Sequence, residues 1–319
     1  SAASDVYKRQ VVLERAFNMR DGFGREIDYM RISVIDSCNL NCYYCNPCDN
    51  NEHCHALNIL SVKEVLCIVR AATRLGIKHF RLTGGEPLLH PQLDEMVLQI
   101  KKIPGVSSVS LTTNAVLLVQ HAKWLKEAGI DSINVSLDTI DASEYERITK
   151  KPLLEEVKHG INAAIECGIR VKINVVLTPQ TDVVALTRYV AKKGTDIRFI
   201  EMMPVGEGHT NGVEPYKKVI GTLSKLYGEP CRINTEKTKE INSGNDKRKI
   251  PDNGPAEYYI FPELGIRVGL IQAIHGKFCD TCNRIRVTAD GRLMPCLGSS
   301  VTMDLVPDSW DFADDVEKD

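Results

Sequence analysis

Residues 36–48, DSCNLNCYYCNPC, set four cysteines within eleven positions directly after an apolar segment, YMRISVI. Cys38, Cys42 and Cys45 make C-x3-C-x2-C. Three thiolates can hold three irons of a cubane and leave the fourth open to a small molecule. Their softness favours iron–sulfur or zinc over hard cations. Two other registers stay open. Cys42, Cys45 and Cys48 begin like a bacterial ferredoxin run, which next wants a cysteine after three residues and then proline; here Cys54 follows after five and precedes His55. A zinc site could use Cys45, Cys48, His53 and Cys54.

A second group, Cys279, Cys282 and Cys296, is spaced C-x2-C-x13-C within FCDTCNRIRVTADGRLMPCL. Asp290-Gly291 is a hairpin signal between alternating apolar runs, so folding there should return Cys296 towards position 285. Pro295 must disturb the end of that ladder. A closed structural zinc site wants four ligands. Three thiolates without an adjacent His suggest a second cluster with an open iron. Arg284 and Arg286 lie two apart on a strand and share a face. Beside a metal, such a pair suits a phosphorylated ligand held by bidentate bonds, although a solvated strand face has the same pattern.

The chain's eleven cysteines are too unevenly placed for a disulfide framework. Two clusters of thiols mean metal in a reducing compartment, and a cytoplasmic location is expected. Cys67, Cys167 and Cys231 stand alone, the first two in apolar helical patterns that should bury an inert thiol. A net charge of −2 gives no global field for nucleic acid or a membrane surface, so any anion site must be local. No apolar run is long enough to span a bilayer, and no signal-peptide pattern is present. The polar opening, SAASDVYKRQ, reads as a partly non-native extension.

The elements that must position these residues recur as a unit: apolar strand, loop, amphipathic helix, glycine, next strand. Six strands are expected in YMRISVI, IKHFRLT, VSSVSLTT, DSINVSLD, IRVKINVVLT and DIRFIEM. Gly76, Gly129 and Gly168 close helices just before Ile-led strands, with Gly105 and Gly194 in corresponding places. Such units imply a parallel sheet, either an open partial barrel or doubly wound, with the site at the carboxyl ends of its strands. Four segments follow: an extension over 1–23, the strand–helix repeat over 24–204, a connection with an exposed loop over 205–255, and a strand-rich module with tail over 256–319.

CNLNCYYC resembles the signature loop of the radical S-adenosylmethionine (SAM) enzymes, where the open iron chelates SAM. TGGEP, residues 83–87, is similar to that superfamily's second motif, a backbone contact to the methionine amino group. Paired glycines after a strand do admit a ligand close to the main chain; a plain tight turn would use them too. Residues 278–297 closely resemble the carboxyl-terminal signature of the GTP 3′,8-cyclase family of molybdenum-cofactor biosynthesis. GREIDYMRISVIDSCN resembles that family's entry segment and IRFIEMMPVG its last barrel strand, so the likeness runs from about Gly24 to Leu297.

That resemblance implies an α/β fold: a partial (βα)6 TIM-like barrel with a small C-terminal auxiliary iron–sulfur module. It implies two [4Fe-4S] clusters, on Cys38, Cys42 and Cys45 and on Cys279, Cys282 and Cys296. It implies a lyase in which SAM cleavage yields a radical that takes hydrogen from the ribose 3′ carbon of GTP, giving 3′,8-cyclo-7,8-dihydro-GTP. No side chain is assigned the catalytic step, which SAM and the clusters carry. Tyr44, Gly85, Ser136 and Met203 match positions that contact SAM. Arg31, Arg81, Thr112, Lys172, Arg284 and Arg286 match positions that bind GTP. Arg198 and Glu201 could serve the same cavity or form an ion pair across it. Partners implied are a low-potential donor such as flavodoxin or ferredoxin and a downstream cyclic pyranopterin monophosphate synthase. A homodimer is left open.

The sequence also departs from that family. Ser37 stands where an arginine usually precedes the first cysteine, and Ala115 replaces the glycine of TTNG. Cys48, His53, Cys54 and His55 are extra potential ligands. The chain stops at DFADDVEKD, short of the family's Gly-Gly tail, which puts efficient cyclisation in doubt but not SAM cleavage. The rival expectations are a peptide-modifying radical SAM enzyme with an auxiliary cluster, and a non-catalytic iron–sulfur or zinc redox protein.

Overall fold

The computed structural model describes residues 19–45, 58–204, 213–233, 254–299 and 301–305. Cys48, His53, Cys54 and His55, most of the 205–255 connection, residues 1–18 and the tail beyond 305 lie outside them.

Six strands form where the apolar runs place them: β1 (Tyr29–Ser33), β2 (His79–Thr83), β3 (Ser108–Thr113), β4 (Ser132–Ser136), β5 (Val171–Leu177) and β6 (Asp196–Glu201). Between them run α1 (Val62–Arg74), α2 (Leu93–Lys101), α3 (Leu118–Glu127), α4 (Ala142–Thr149), α5 (Leu154–Glu166) and α6 (Val183–Lys192). The start of α1 is a capping box: Glu64 N–H donates to Ser61 Oγ, and Ser61 N–H donates to Glu64 Oε2. The glycines expected to end helices do so with positive φ, 90° at Gly76 and 88° at Gly129.

All neighbouring pairs from β1 to β6 are parallel. Met30, Ile32, Phe80, Leu82, Val109, Leu111, Ile133 and Val135 are buried in one core. Strand alternation therefore turns Arg31, Arg81, Ser110 and Asn134 to the opposite, inner face. A further helix, α7 (Gly221–Tyr227), continues a helical turn over Tyr216–Ile220.

The carboxyl-terminal strands are β7 (Cys231–Ile233), β8 (Glu257–Ile260), β9 (Arg267–Ile271), β10 (Arg284–Val287), β11 (Arg292–Met294) and β12 (Met303–Asp304). They make no separate sheet. β9 adds parallel to β6 and β10 parallel to β1, so the six-stranded arc gains a parallel strand at each edge. The segment 272–283 must then cross back from the carboxyl end of β9 to the amino end of β10. It is held at both ends. Near the carboxyl end, Glu201 accepts from Ile274 N–H at 2.7 Å, His275 N–H at 3.1 Å and His275 Nδ1. At the other, Tyr29 N–H donates to Asn283 O at 3.2 Å, and Asn283 Nδ2 donates to Asp28 Oδ1 at 2.6 Å.

Two expectations need correction. The β10–β11 register pairs Arg286 with Met294 and Val287 with Leu293, so its extension sets Cys296 opposite Arg284 rather than 285. The turn spans four residues, Thr288–Gly291, which moves the register by one. The ladder does end at Met294, just before Pro295. Cys67 and Cys167 are half-buried rather than enclosed, and Cys167 caps the carboxyl end of α5 instead of lying on its apolar face.

Candidate active site

The first cysteine loop leaves the carboxyl end of β1 and is tied down by its main chain. Asn41 N–H donates to Thr149 O at 3.0 Å and Tyr43 N–H to Ile148 O at 3.1 Å, both at the end of α4. On the opposite side, Gly85 N–H donates to Ile35 O at 2.8 Å and Glu86 N–H to Ser37 O at 2.8 Å. A Cβ on Gly85 would lie 2.2 Å from Ser37 O, and one on Gly84 would lie 2.3 Å from Ile35 O. The paired glycines thus admit the cysteine loop's own backbone. The sequence pattern had left that close approach to a ligand.

Burial, followed by Asp138 and the neighbouring thiols Cys45 and Cys38, pushes the Cys42 thiol up to about 12. Burial likewise raises Cys38 and Cys45. Cys38 and Cys45 are exposed and Cys42 is half-buried; neighbouring thiolates disfavour one another's charge, and a bound cation relieves that cost. Three soft donors at this spacing suit an iron–sulfur cluster. Tyr44 donates its hydroxyl to Asp138 Oδ2, and Asp138 Oδ1 accepts Val176 N–H at 2.7 Å. Cys42, Tyr44, Asn114, Ser136, Asp138 and Thr139 line one cleft at this end of the barrel. Three expected SAM positions, Tyr44, Gly85 and Ser136, so gather around the loop. Met203 lies two residues past β6, half-buried, and is not among the described residues that line that cleft.

The expected GTP positions occupy the inner face. Arg286, Arg31, Arg81 and Ser110 are consecutive cross-strand partners on β10, β1, β2 and β3. The next row towards the cysteine loop holds Thr112, Asn134 and Lys172 on β3, β4 and β5. Arg81 Nη1 joins the rows by donating to Thr112 Oγ1 at 3.4 Å. Arg284, opposite Tyr29, stands one step lower on the same face as Arg286. Burial, then Arg286 and Arg81, lowers Arg31 to about 9. Arg286 is lowered by burial and then by Arg284. Arg31 Nε and Arg284 Nε are buried without a hydrogen-bond partner among the described residues. Packed cations with unused donors fit an anion.

Cys279 opens a short helical turn, Cys279–Thr281, and Cys282 N–H donates to Cys279 O at 3.2 Å. Cys282 and Cys296 both act electrostatically on Arg286. The two cysteine groups consequently lie at opposite ends of the basic rows: one beyond the carboxyl end of β1, the other before the amino end of β10. A five-residue strand such as β1 spans roughly 16 Å.

Several residues at the site escaped sequence reasoning. Glu86, buried, takes Leu88 N–H at 3.1 Å and Thr113 Oγ1–H at 2.6 Å on Oε1, and Asn114 N–H at 2.7 Å on Oε2. It clamps the end of β2 to that of β3. Arg25 donates to Cys279 O at 2.5 Å from a hairpin closed by Asp21. Glu201 grips the crossing segment, so its side-chain partner is His275. Glu86 follows the double glycine in TGGEP, and that adjacency was the one available signal. Asp138, Arg25 and His275 had none.

Residues 32–186 match the radical SAM superfamily, and residues 195–308 match Molybdenum Cofactor Synthesis C. The chain is 37% identical over 282 residues to a GTP 3′,8-cyclase of Clostridium perfringens, covering 88% of this chain and 83% of that protein. It is 38% identical over 294 residues to a GTP 3′,8-cyclase of Pelotomaculum thermopropionicum, covering 90% and 86%. Among solved structures, Streptococcus suis SuiB bound to precursor peptide SuiA superposes with a TM-score of 0.62 at 15% identity. That match covers 92% of this chain and 64% of SuiB. Native anSMEcpe with bound AdoMet gives 0.57 at 18% identity, covering 86% and 75%. At such identities the structural likeness carries the fold alone.

Proposed function

The chain belongs to the GTP 3′,8-cyclase family of radical SAM enzymes, and from that premise we propose how its residues divide the reaction. It is a radical SAM GTP cyclase of molybdenum-cofactor biosynthesis, with GTP as substrate. Cys38, Cys42 and Cys45 would hold the cluster that, when bound, supplies an electron to SAM. The cleft of Tyr44, Asn114, Ser136 and Asp138 would seat SAM, with Gly85 and Met203 completing its contacts. Tyr44 is fixed for this by its bond to Asp138. Cys279, Cys282 and Cys296 would hold a second cluster at the far end. Arg31, Arg81, Thr112, Lys172, Arg284 and Arg286 would bind GTP between the two. A flavodoxin or ferredoxin would deliver the electron, and a cyclic pyranopterin monophosphate synthase would take the product.

One observation carries this assignment: the register row Arg286–Arg31–Arg81 runs across the barrel between the two cysteine groups. Anaerobic GTP binding to reconstituted protein tests it. Replacing Arg284 and Arg286 together by Ala should weaken binding tenfold or more per lost charge-assisted bond, estimated at ~1.5–3 kcal/mol each. Iron content and uncoupled SAM cleavage should persist. Equal affinity in wild type and variant would overturn the assignment.

A further inference from the structure

Tyr29 lies one step below the basic row, on the same inner face, and the family's expected positions leave it out. Its cross-strand partners are Arg284 on β10 and His79 on β2. The phenol oxygen accepts from Arg81 Nε at 2.5 Å. Its ring stacks on His79, centroids 6.2 Å apart at 29°, and His79 Nδ1 is in turn 2.8 Å from Ser108 Oγ. Burial works to raise the phenol's pKa, but Arg81 and Arg31 beside it, with Ser110, outweigh burial and hold it below the usual tyrosine value.

Arg81 needs such a partner. It is 8% exposed, and its register neighbour is another guanidinium, Arg31. Two like charges side by side in a poorly hydrated barrel repel, and each would swing away if free. An oxygen on Nε leaves the outer nitrogens of the guanidinium pointing away from Tyr29, and Nη1 does reach Thr112 Oγ1. A planar fork fixed by its Nε edge presents its remaining donors in one orientation, which two-point recognition of phosphate requires.

We propose that Tyr29 is a positioning residue for the nucleotide site, holding the Arg81 guanidinium so that its outer nitrogens face the substrate phosphates. This rests on the assignment of Arg81 to GTP. It adds that an aromatic hydroxyl, invisible in any charge pattern, sets the geometry of the basic row.

The test is a double-mutant cycle on the cluster-loaded enzyme, read by anaerobic GTP binding and by steady-state kinetics. Tyr29→Phe keeps the ring and its stack on His79 and removes only the oxygen. It should weaken GTP binding and raise KM about tenfold, the loss of one hydrogen bond to a charged group, with kcat and iron content held. Arg81→Ala should weaken binding at least as much. The double variant should match Arg81→Ala within about twofold, because Tyr29 acts through Arg81. Independent, multiplying losses would overturn the inference, as would unchanged affinity in Tyr29→Phe beside a weakened Arg81→Ala. If Arg81→Ala itself binds GTP normally, the assignment of Arg81 fails first and the positioning role fails with it.

Discussion

Gly85→Ala isolates the glycine pair's purpose. Gly85 lacks the positive φ that would by itself explain a glycine, so only contact forbids a side chain. The added Cβ would meet Ser37 O at 2.2 Å, Asp36 O at 2.4 Å and Ser37 C at 2.5 Å. All three are main chain, with no side-chain end that could rotate away. Relief requires moving residues 36–37, and Cys38 with them, and giving up the bonds Gly85 N–Ile35 O and Glu86 N–Ser37 O. Two hydrogen bonds at ~1 kcal/mol each, plus overpacking of roughly 1–3 kcal/mol, put the cost at about 3–5 kcal/mol. Gly168→Ala is the control: its nearest neighbour is Lys126 Nζ at 3.6 Å, and its φ of 70° costs only ~1–2 kcal/mol of backbone strain. The assay is iron per chain after anaerobic reconstitution, with thermal melting of the metal-free protein. Gly85→Ala should lose iron at the first cysteine group and melt lower than Gly168→Ala. If it loads iron as wild type does and melts no lower than Gly168→Ala, the packing argument is refuted.

Three further outcomes follow from the site. Replacing Cys279, Cys282 and Cys296 together by Ala should roughly halve the iron while sparing SAM cleavage, as measured by methionine release; loss of all iron would mean one composite site. Cys38→Ala should abolish SAM cleavage and Cys48→Ala should not, and the reverse pattern would restore the ferredoxin register. Burial raises Asp138 from 3.8 to about 6, so the folded metal-free protein binds that proton more tightly than the unfolded chain does. Stability should fall as pH rises from about 4 through 6, by about 3 kcal/mol in total. Asp138→Asn should remove that slope in pH-dependent melting, and a slope unchanged in the variant would count against the assignment.

The strand–helix repeat was legible because each half of its pattern has one physical cause: alternating burial for strands, and a left-handed glycine after every helix of the repeat except α4, which ends on left-handed Lys150. The two cysteine groups and the Arg284–Arg286 pair were legible as candidates from spacing within single segments. What spacing could not show was pairing between distant segments. That β10 lies beside β1, setting Arg286 opposite Arg31, follows from a contact some 250 residues apart in the chain. The role of Gly85 was half legible. Glycine signalled close approach, but the approaching group belonged to residues 36–37. Ala115, marked only as a departure from the family's glycine, takes φ 65°, a left-handed turn that glycine adopts freely and alanine does not.

Net charge misleads for this protein in an instructive way. A chain at −2 concentrates Arg31, Arg81, Arg284, Arg286 and Lys172 on one inner face, where the register sets a carboxylate, Asp196, beside Lys172 but none in the arginine row. Asp196 is bound to Arg267, Glu201 to His275, and Glu86 to main-chain and hydroxyl donors. None of those carboxylates neutralises the Arg31–Arg81–Arg286 row. Cations left facing one another out of water oppose folding, and burial, then Arg286 and Arg81, act together to lower Arg31. An anion spanning the row would offset that opposition at every member at once, and a polyphosphate held there should stabilise the fold by the amount its affinity and concentration set.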